Sequence, residues 1–174
     1  MISILSPAKK LNFDKIHRNC EASQPIFKKQ AAKLAKLAAQ LDIAELSALM
    51  KISSKLATLN KKRFDKFSAD PLPKDSKQAA FVFAGDTYVG LGAEAISPEN
   101  DTFFQNNIRI LSGLYGILRP FDLIQPYRLE MGSNLQTTEG SNLYKFWNTT
   151  LATNLEADLK NHTNKLLINL ASEE

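Results

Sequence analysis

Residues Leu111–Gly132, LSGLYGILRPFDLIQPYRLEMG, bring together residue types that seldom share one short segment. Gly113, Gly116 and Gly132 release the backbone, while Pro120 and Pro126 fix it. Glycine permits positive φ or close approach of another segment, and each proline drives the residue before it into an extended shape. Such a stretch is neither a plain helix nor a plain strand. It is an irregular loop carrying Tyr115, Arg119, Asp122, Tyr127, Arg128 and Glu130, and loops of this kind often hold binding or catalytic groups. The same residues also suit a buried structural loop whose Arg and Asp satisfy backbone groups. Both readings stay open at this level. The tail, Tyr127 to Met131, reads as a strand, which puts Arg128 and Glu130 on one face.

Upstream of this stretch, Ser97-Pro98-Glu99-Asn100-Asp101 predicts a helix start, with a capping serine, a proline at the first helical position and acids in the first turn. Phe104, Ile108 and Leu111 form its apolar stripe, and Gly113 ends it. Further back, AAFVFA (79–84) is a continuous apolar run that reads as a buried strand. It delivers Asp86 and Tyr88 at its end as candidate site residues. Gly90-x-Gly92-x-x-Ala95 formally matches a dinucleotide fingerprint, but Ser97-Pro98 interrupts the helix that fingerprint needs, and no acidic residue ends a second strand. Ile2 to Leu5 is a first buried strand stopped by Ser6-Pro7. Lys9 follows just beyond it, where ligand crevices of open sheets lie. Downstream, a helix from about Leu143 towards Lys160 buries Trp147, Leu151, Leu155 and Leu159, and KLLINLA (165–171) reads as a last strand covered on both faces.

The chain has 174 residues, 44% of them hydrophobic, enough for one domain with its own core. No apolar run is long enough to cross a bilayer, and MISILSPAKK lacks the order of a secretory signal, so a cytoplasmic address is expected. A single cysteine, Cys20, excludes an internal disulfide framework, and with only His17 and His162 beside it the chain lacks the ligands of a Cys/His zinc site. The absence of a Glu-x-x-His pair argues against a di-iron bundle. Net charge is a mild +4, but it is unevenly spread. Ten bases and three acids between Lys28 and Lys66 give that segment +7 and leave −3 for the rest. A concentrated excess of this kind suits a polyanion-facing surface.

That basic segment has a clear organisation. Phe27, Ala31, Leu34, Ala38 and Leu41 fall on one helical face, with Lys29, Lys33 and Lys36 opposite. Asp42 and Glu45 form a capping box for a short helix to Met50, and another helix starts after Ser53-Ser54 and runs towards Phe67. The wording from Leu46 to Ala57 resembles a helix-hairpin-helix, in which backbone amides at a helix N-terminus receive a DNA phosphate. Lys51, Ser53, Ser54, Lys55, Lys61, Lys62 and Arg63 are then phosphate contacts that give affinity without sequence preference. Lys51 and Ser53 stand where that motif usually carries glycine. The alternative is an ordinary pair of helices with a solvated lysine face.

Taken in order, SPAKK, FAGDTYVGL, LSGLYGILRPFDLIQPYRLEMG and INLASEE resemble the bacterial YaaA peroxide-stress resistance family over nearly the whole chain. The resemblance implies a cytoplasmic protein that limits peroxide damage to DNA and protein by lowering available intracellular iron. It also implies a single α/β fold with a positively charged cleft, a helix-hairpin-helix element and double-stranded DNA as partner. No enzymatic reaction and no bound cofactor or metal follow from it. Family members continue beyond INLAS, so the chain resembles a C-terminally truncated member, for which self-association through the uncovered last strand is expected. The expected architecture is one mixed α/β (α+β) domain over 1–174, with a central mixed sheet, surrounding helices and the basic hairpin region 26–67 within it. A different class of function is an enzyme acting on a nucleotide or damaged base, with Lys9, Asp86, Tyr88, Tyr115, Arg119, Asp122, Tyr127, Arg128 and Glu130 around its cleft.

Overall fold

The computed structural model describes residues 1–14 and 18–172; His17, Glu173 and Glu174 lie outside the described residues. Strand β1 (Ile2–Leu5) opens the chain. Helices α1 (Lys28–Gln40), α2 (Ile43–Met50) and α3 (Ser54–Asp65) follow. Next come β2 (Lys77–Gln78) and the short helices α4 (Ala79–Val82), α5 (Asp86–Leu91) and α6 (Asp101–Asn107). Strands β3 (Ile108–Ser112), β4 (Gly116–Leu118) and β5 (Leu123–Ile124) fill the middle of the chain. Helices α7 (Leu143–Trp147) and α8 (Thr150–Lys160) lead to β6 (Leu167–Asn169). The result is the expected mixed α/β domain with a mixed sheet.

The four-stranded sheet has the order β4-β3-β1-β6. β1 is parallel to β3 on one side, with Ile4 opposite Arg109, and parallel to β6 on the other, with Ser3 opposite Ile168. β4 returns antiparallel to β3. β1, β3 and β6 therefore end on the same side, with β1 between strands reached by crossovers in opposite directions. This is where an open α/β sheet leaves a crevice. A second ladder, β2 with β5, joins the segment before α4 to the Leu111–Gly132 stretch. That stretch is the centre of the molecule: Leu114, Ile117, Leu118 and Ile124 are wholly buried in the main core beside Leu34, Leu46 and Trp147.

Two of its glycines meet exact steric demands. A side chain on Gly113 would stand 2.8 Å from the Glu130 carbonyl carbon. Gly116 has φ +72°, and a Cβ there would approach the Trp147 ring to 2.9 Å. The Trp147 indole donates to the Gly113 carbonyl at 3.0 Å, so the two halves of the stretch and α7 close on one another.

Four local expectations are corrected. AAFVFA forms α4 rather than a strand, and Ala79, Ala80, Phe81 and Val82 are all buried. A short apolar run has no period to separate a buried helix from a buried strand, and two alanines favour the helix. Ile108 to Ser112 is β3, not the end of the preceding helix; its β-branched residues pair with β1 from a hundred positions away. Tyr127 to Met131, expected as a strand, forms none: residues 127–130 have no regular structure and Met131 lies in a turn. The long helix from Leu143 breaks at Asn148, whose φ of +40° separates α7 from α8. Separately, β6 is paired with β1 at the sheet edge, and Leu166, Leu167 and Leu170 are exposed.

Candidate functional site

The basic helical region folds as the sequence pattern requires. Ala31, Leu34 and Ala38 bury one face of α1, and Lys29, Lys33 and Lys36 are exposed. Asp42 and Glu45 close a reciprocal capping box at the start of α2, with both bonds at 2.8 Å. The turn into α3 is tight. Lys51 adopts the left-handed conformation, φ 51° and ψ 51°, which glycine would adopt without strain. Ser47 holds the turn from below: its hydroxyl donates to the Ile52 carbonyl at 2.5 Å, and Ile52 N donates back to the Ser47 carbonyl at 3.1 Å. Ser53 caps α3, accepting from Leu56 N at 3.4 Å. Leu46, Met50 and Ala57 anchor the hairpin in the core, leaving Lys51, Ser53, Ser54 and Lys55 exposed around the α3 N-terminus.

The remaining bases lie along α3 and are not equivalent. Lys61 is engaged with Asp65 and with the Ala39 carbonyl at 3.0 Å. Lys62 is exposed. Arg63 is half-buried, donates to Asn60 at 3.2 Å, and has its pKa lowered by burial. Past them opens a groove of about 650 Å³ lined by Phe13, Leu59, four bases (Lys62, Arg63, Lys66 and Lys74) and one acid, Asp75, with Gln125 and Pro126 of the central stretch at its wall. Lys66 and Lys74, which the sequence reading did not single out as contacts, extend the positive surface. Their signal was the charge excess around the hairpin, not any motif.

The nine cleft candidates separate into two groups. Lys9, Tyr88, Tyr127, Arg128 and Glu130 gather at the carboxyl ends of β1 and β3. Lys9 Nζ lies 3.2 Å from Glu130 Oε2, and Arg128 Nη2 donates to Glu130 Oε1 at 3.0 Å. The Tyr88 hydroxyl donates to the Ser6 carbonyl at 2.8 Å, and the Tyr127 and Ser112 hydroxyls share a hydrogen bond of 2.6 Å. Tyr115 packs edge-on against Tyr127, with ring centroids 5.4 Å apart, and its hydroxyl accepts from Gln125 N at 3.0 Å. Asp86 is exposed at the start of α5. Burial pushes the phenols of Tyr88 and Tyr115 far above the ordinary range, with the nearby Tyr127 adding to the effect at Tyr88. Both stay neutral and act as hydrogen-bonding groups, not as bases.

Arg119 and Asp122 belong elsewhere. Asp122 is fully buried and accepts from Arg119 N at 2.8 Å, from Arg119 Nη2 at 2.9 Å and from Ser23 Oγ at 2.6 Å. Gln105 reaches the same knot, donating to Ser23 Oγ at 2.8 Å and accepting from Phe121 N at 2.9 Å. This pair holds the central stretch to the segment around Ser23. The formal dinucleotide fingerprint is also accounted for: Gly92 ends α5 in a left-handed cap at φ 55°. Among the described residues no three His, Cys, Asp or Glu side chains are grouped to hold a metal ion, and no helix is long and apolar enough to cross a membrane.

The fold and these two surfaces define a mixed α/β domain with a basic helical hairpin and a polar crevice at the carboxyl ends of β1 and β3. The family described as peroxide stress protein YaaA matches residues 1–174, and the chain belongs to that family. It is similar to UPF0246 proteins of Roseobacter denitrificans (47% identical, covering 66% of that protein), Caulobacter vibrioides (45%, covering 68%) and Shewanella woodyi (41%, covering 68%). Each match takes in 100% of this chain, which thus spans about two thirds of the length of these relatives.

Proposed function

We propose that the chain serves peroxide-stress protection while resting on duplex DNA, in the cytoplasm, and that the family's protective effect runs through lower available iron. Hydroxyl radical formed from peroxide and ferrous iron reacts close to its origin, so a protector gains from a position on the DNA. Family membership supports the stress role. The DNA role is carried by one observation. Lys51 accepts a left-handed backbone that a lysine adopts only at a cost, which closes the α2–α3 hairpin and leaves the α3 N-terminus exposed within a +7 segment. Lys51, Ser53, Ser54 and Lys55 then meet one phosphate run, and Lys62 and Arg63 lead into the groove with Lys66 and Lys74. Lys61 contributes less, since Asp65 already partners it.

Binding of this kind depends on salt and not on sequence. Titrating the chain with duplexes of unrelated sequence across salt concentrations is the test. Lys55→Ala should weaken all duplexes alike and lower the salt slope by about one unit. An unchanged slope, or a loss confined to one sequence, overturns the reading. The open edge of β6, with its exposed leucines, is proposed to seat a second copy of the chain. Light scattering across a concentration series reads this directly, and a monomer throughout overturns it.

A further inference from the structure

We propose that the crevice at the carboxyl ends of β1 and β3 is a phosphomonoester site, separate from the hairpin and independent of the DNA reading. Four segments far apart in the chain meet there. Ser6 to Lys9 leaves β1, and Ser172 returns beside it, its amide donating to Ser6 Oγ at 2.8 Å. Tyr88 arrives from α5, and Tyr127 to Glu130 passes against Gly113. A small crevice opens between Pro7, Ala8, Lys9, Tyr127, Arg128 and Glu130. Neither the core nor the sheet needs charged groups at this point. The molecule nevertheless sets two bases and one acid here, a local excess of one positive charge.

The arrangement of those charges points to an oxyanion. Glu130 places its two oxygens between Lys9 and Arg128, one on each. A carboxylate so held marks where a ligand's phosphoryl oxygens would sit. Arg128 has one terminal nitrogen on Glu130, while its Nε is buried without an acceptor. A guanidinium presents its donors as a planar fork that matches phosphate, and an unfilled donor beside a filled one leaves that fork half used. Lys9 is 63% exposed at its side chain and can follow an incoming group. The Tyr127 hydroxyl shares a hydrogen bond with Ser112, and the Tyr88 hydroxyl satisfies the Ser6 carbonyl just beyond β1. In this reading Glu130 is an internal competitor for the ligand, not a support for the fold.

A phosphomonoester dianion reaches such a site from two sources: a free nucleotide or a phosphorylated DNA end. Calorimetric titration of the chain with adenosine 5′-monophosphate and inorganic phosphate, beside duplexes with and without 5′-phosphates, separates them. Arg128→Ala and Lys9→Ala should each weaken binding about tenfold or more, the scale of a lost charged hydrogen bond. Glu130→Gln should tighten it several-fold, whereas a merely structural triad would lose with every substitution. Lys9→Ala removes an exposed side chain, so its result does not hinge on folding, and thermal melts check the other two. Binding of the monophosphate with no preference for phosphorylated duplex ends assigns the free nucleotide. A preference for phosphorylated ends that Arg128→Ala removes assigns the DNA terminus. Lys55→Ala should leave binding of the monophosphate, and any preference for phosphorylated over unphosphorylated ends, unchanged, so the hairpin reading can fail without this one. No binding by any phosphomonoester, or binding indifferent to Arg128 and Lys9, or weakened by Glu130→Gln, overturns the site.

Discussion

Arg119 with Asp122 and Arg128 with Glu130 lie within one twelve-residue run of the same stretch, yet the structure uses them differently. Asp122 is fully buried, with the Arg119 guanidinium, the Arg119 backbone N–H and the Ser23 hydroxyl all donating to it. Glu130 keeps a third of its side chain exposed and meets one exposed base and one half-buried base. Chemically the two pairs are alike. Their surroundings decide that the first is a knot and the second a crevice wall, because a buried carboxylate is costly to strand while a solvated one is not.

The largest expected effect is therefore at the knot. Asp122→Ala leaves Arg119 and Ser23 without their common acceptor and should cost about 3–5 kcal/mol. For a chain of this size that is a fall in Tm of roughly 10 °C, read by thermal melt. A fall as small as that of Glu130→Gln would erase the distinction between the pairs. Gly113→Ala comes next, because the new methyl meets the backbone at Glu130 where neither segment can yield. It should cost about 1–3 kcal/mol and also disturb the crevice. Glu130→Gln should stay within about 1 kcal/mol of the parent in a denaturant titration. A larger loss would make the crevice pair structural. Lys9→Ala, at the exposed end of the series, should change stability by no more than about 0.5 kcal/mol.

How much of this was readable from the sequence follows the range of the interactions. The Asp42–Glu45 capping box, the amphipathic face of α1 and the turn at Ser53 are set by residues within a few positions, and they stand where the pattern put them. β3 was misread because Phe104, Ile108 and Leu111 happen to share a helical spacing, while the partner that draws Ile108–Ser112 into a strand is β1. AAFVFA was misread for want of any period. The site shows the same division. Sequence reading named Lys9, Tyr88, Tyr127, Arg128 and Glu130, but it grouped them with Arg119 and Asp122. Adjacency in the chain says nothing about which carboxylate is buried. Lys66 and Lys74 escaped because a groove is formed by separate segments, and neither segment signals it alone.

The place of β1 sets the order in which the molecule can form. Its partners begin at Ile108 on one side and Leu167 on the other, so β1 emerges well before either strand that pairs with it. The hairpin of α2 and α3, by contrast, needs only neighbours in sequence. During synthesis at about 5–20 residues per second, the basic helices can assemble while Ile2–Leu5 still waits, an apolar strand with both edges open. Both sides of β1 are paired only when β6 arrives, and Ser172 then reaches Ser6. Until that moment the newborn chain carries its hairpin without its sheet, and a chaperone that shields an emerging N-terminal strand is the assistance this topology would call for.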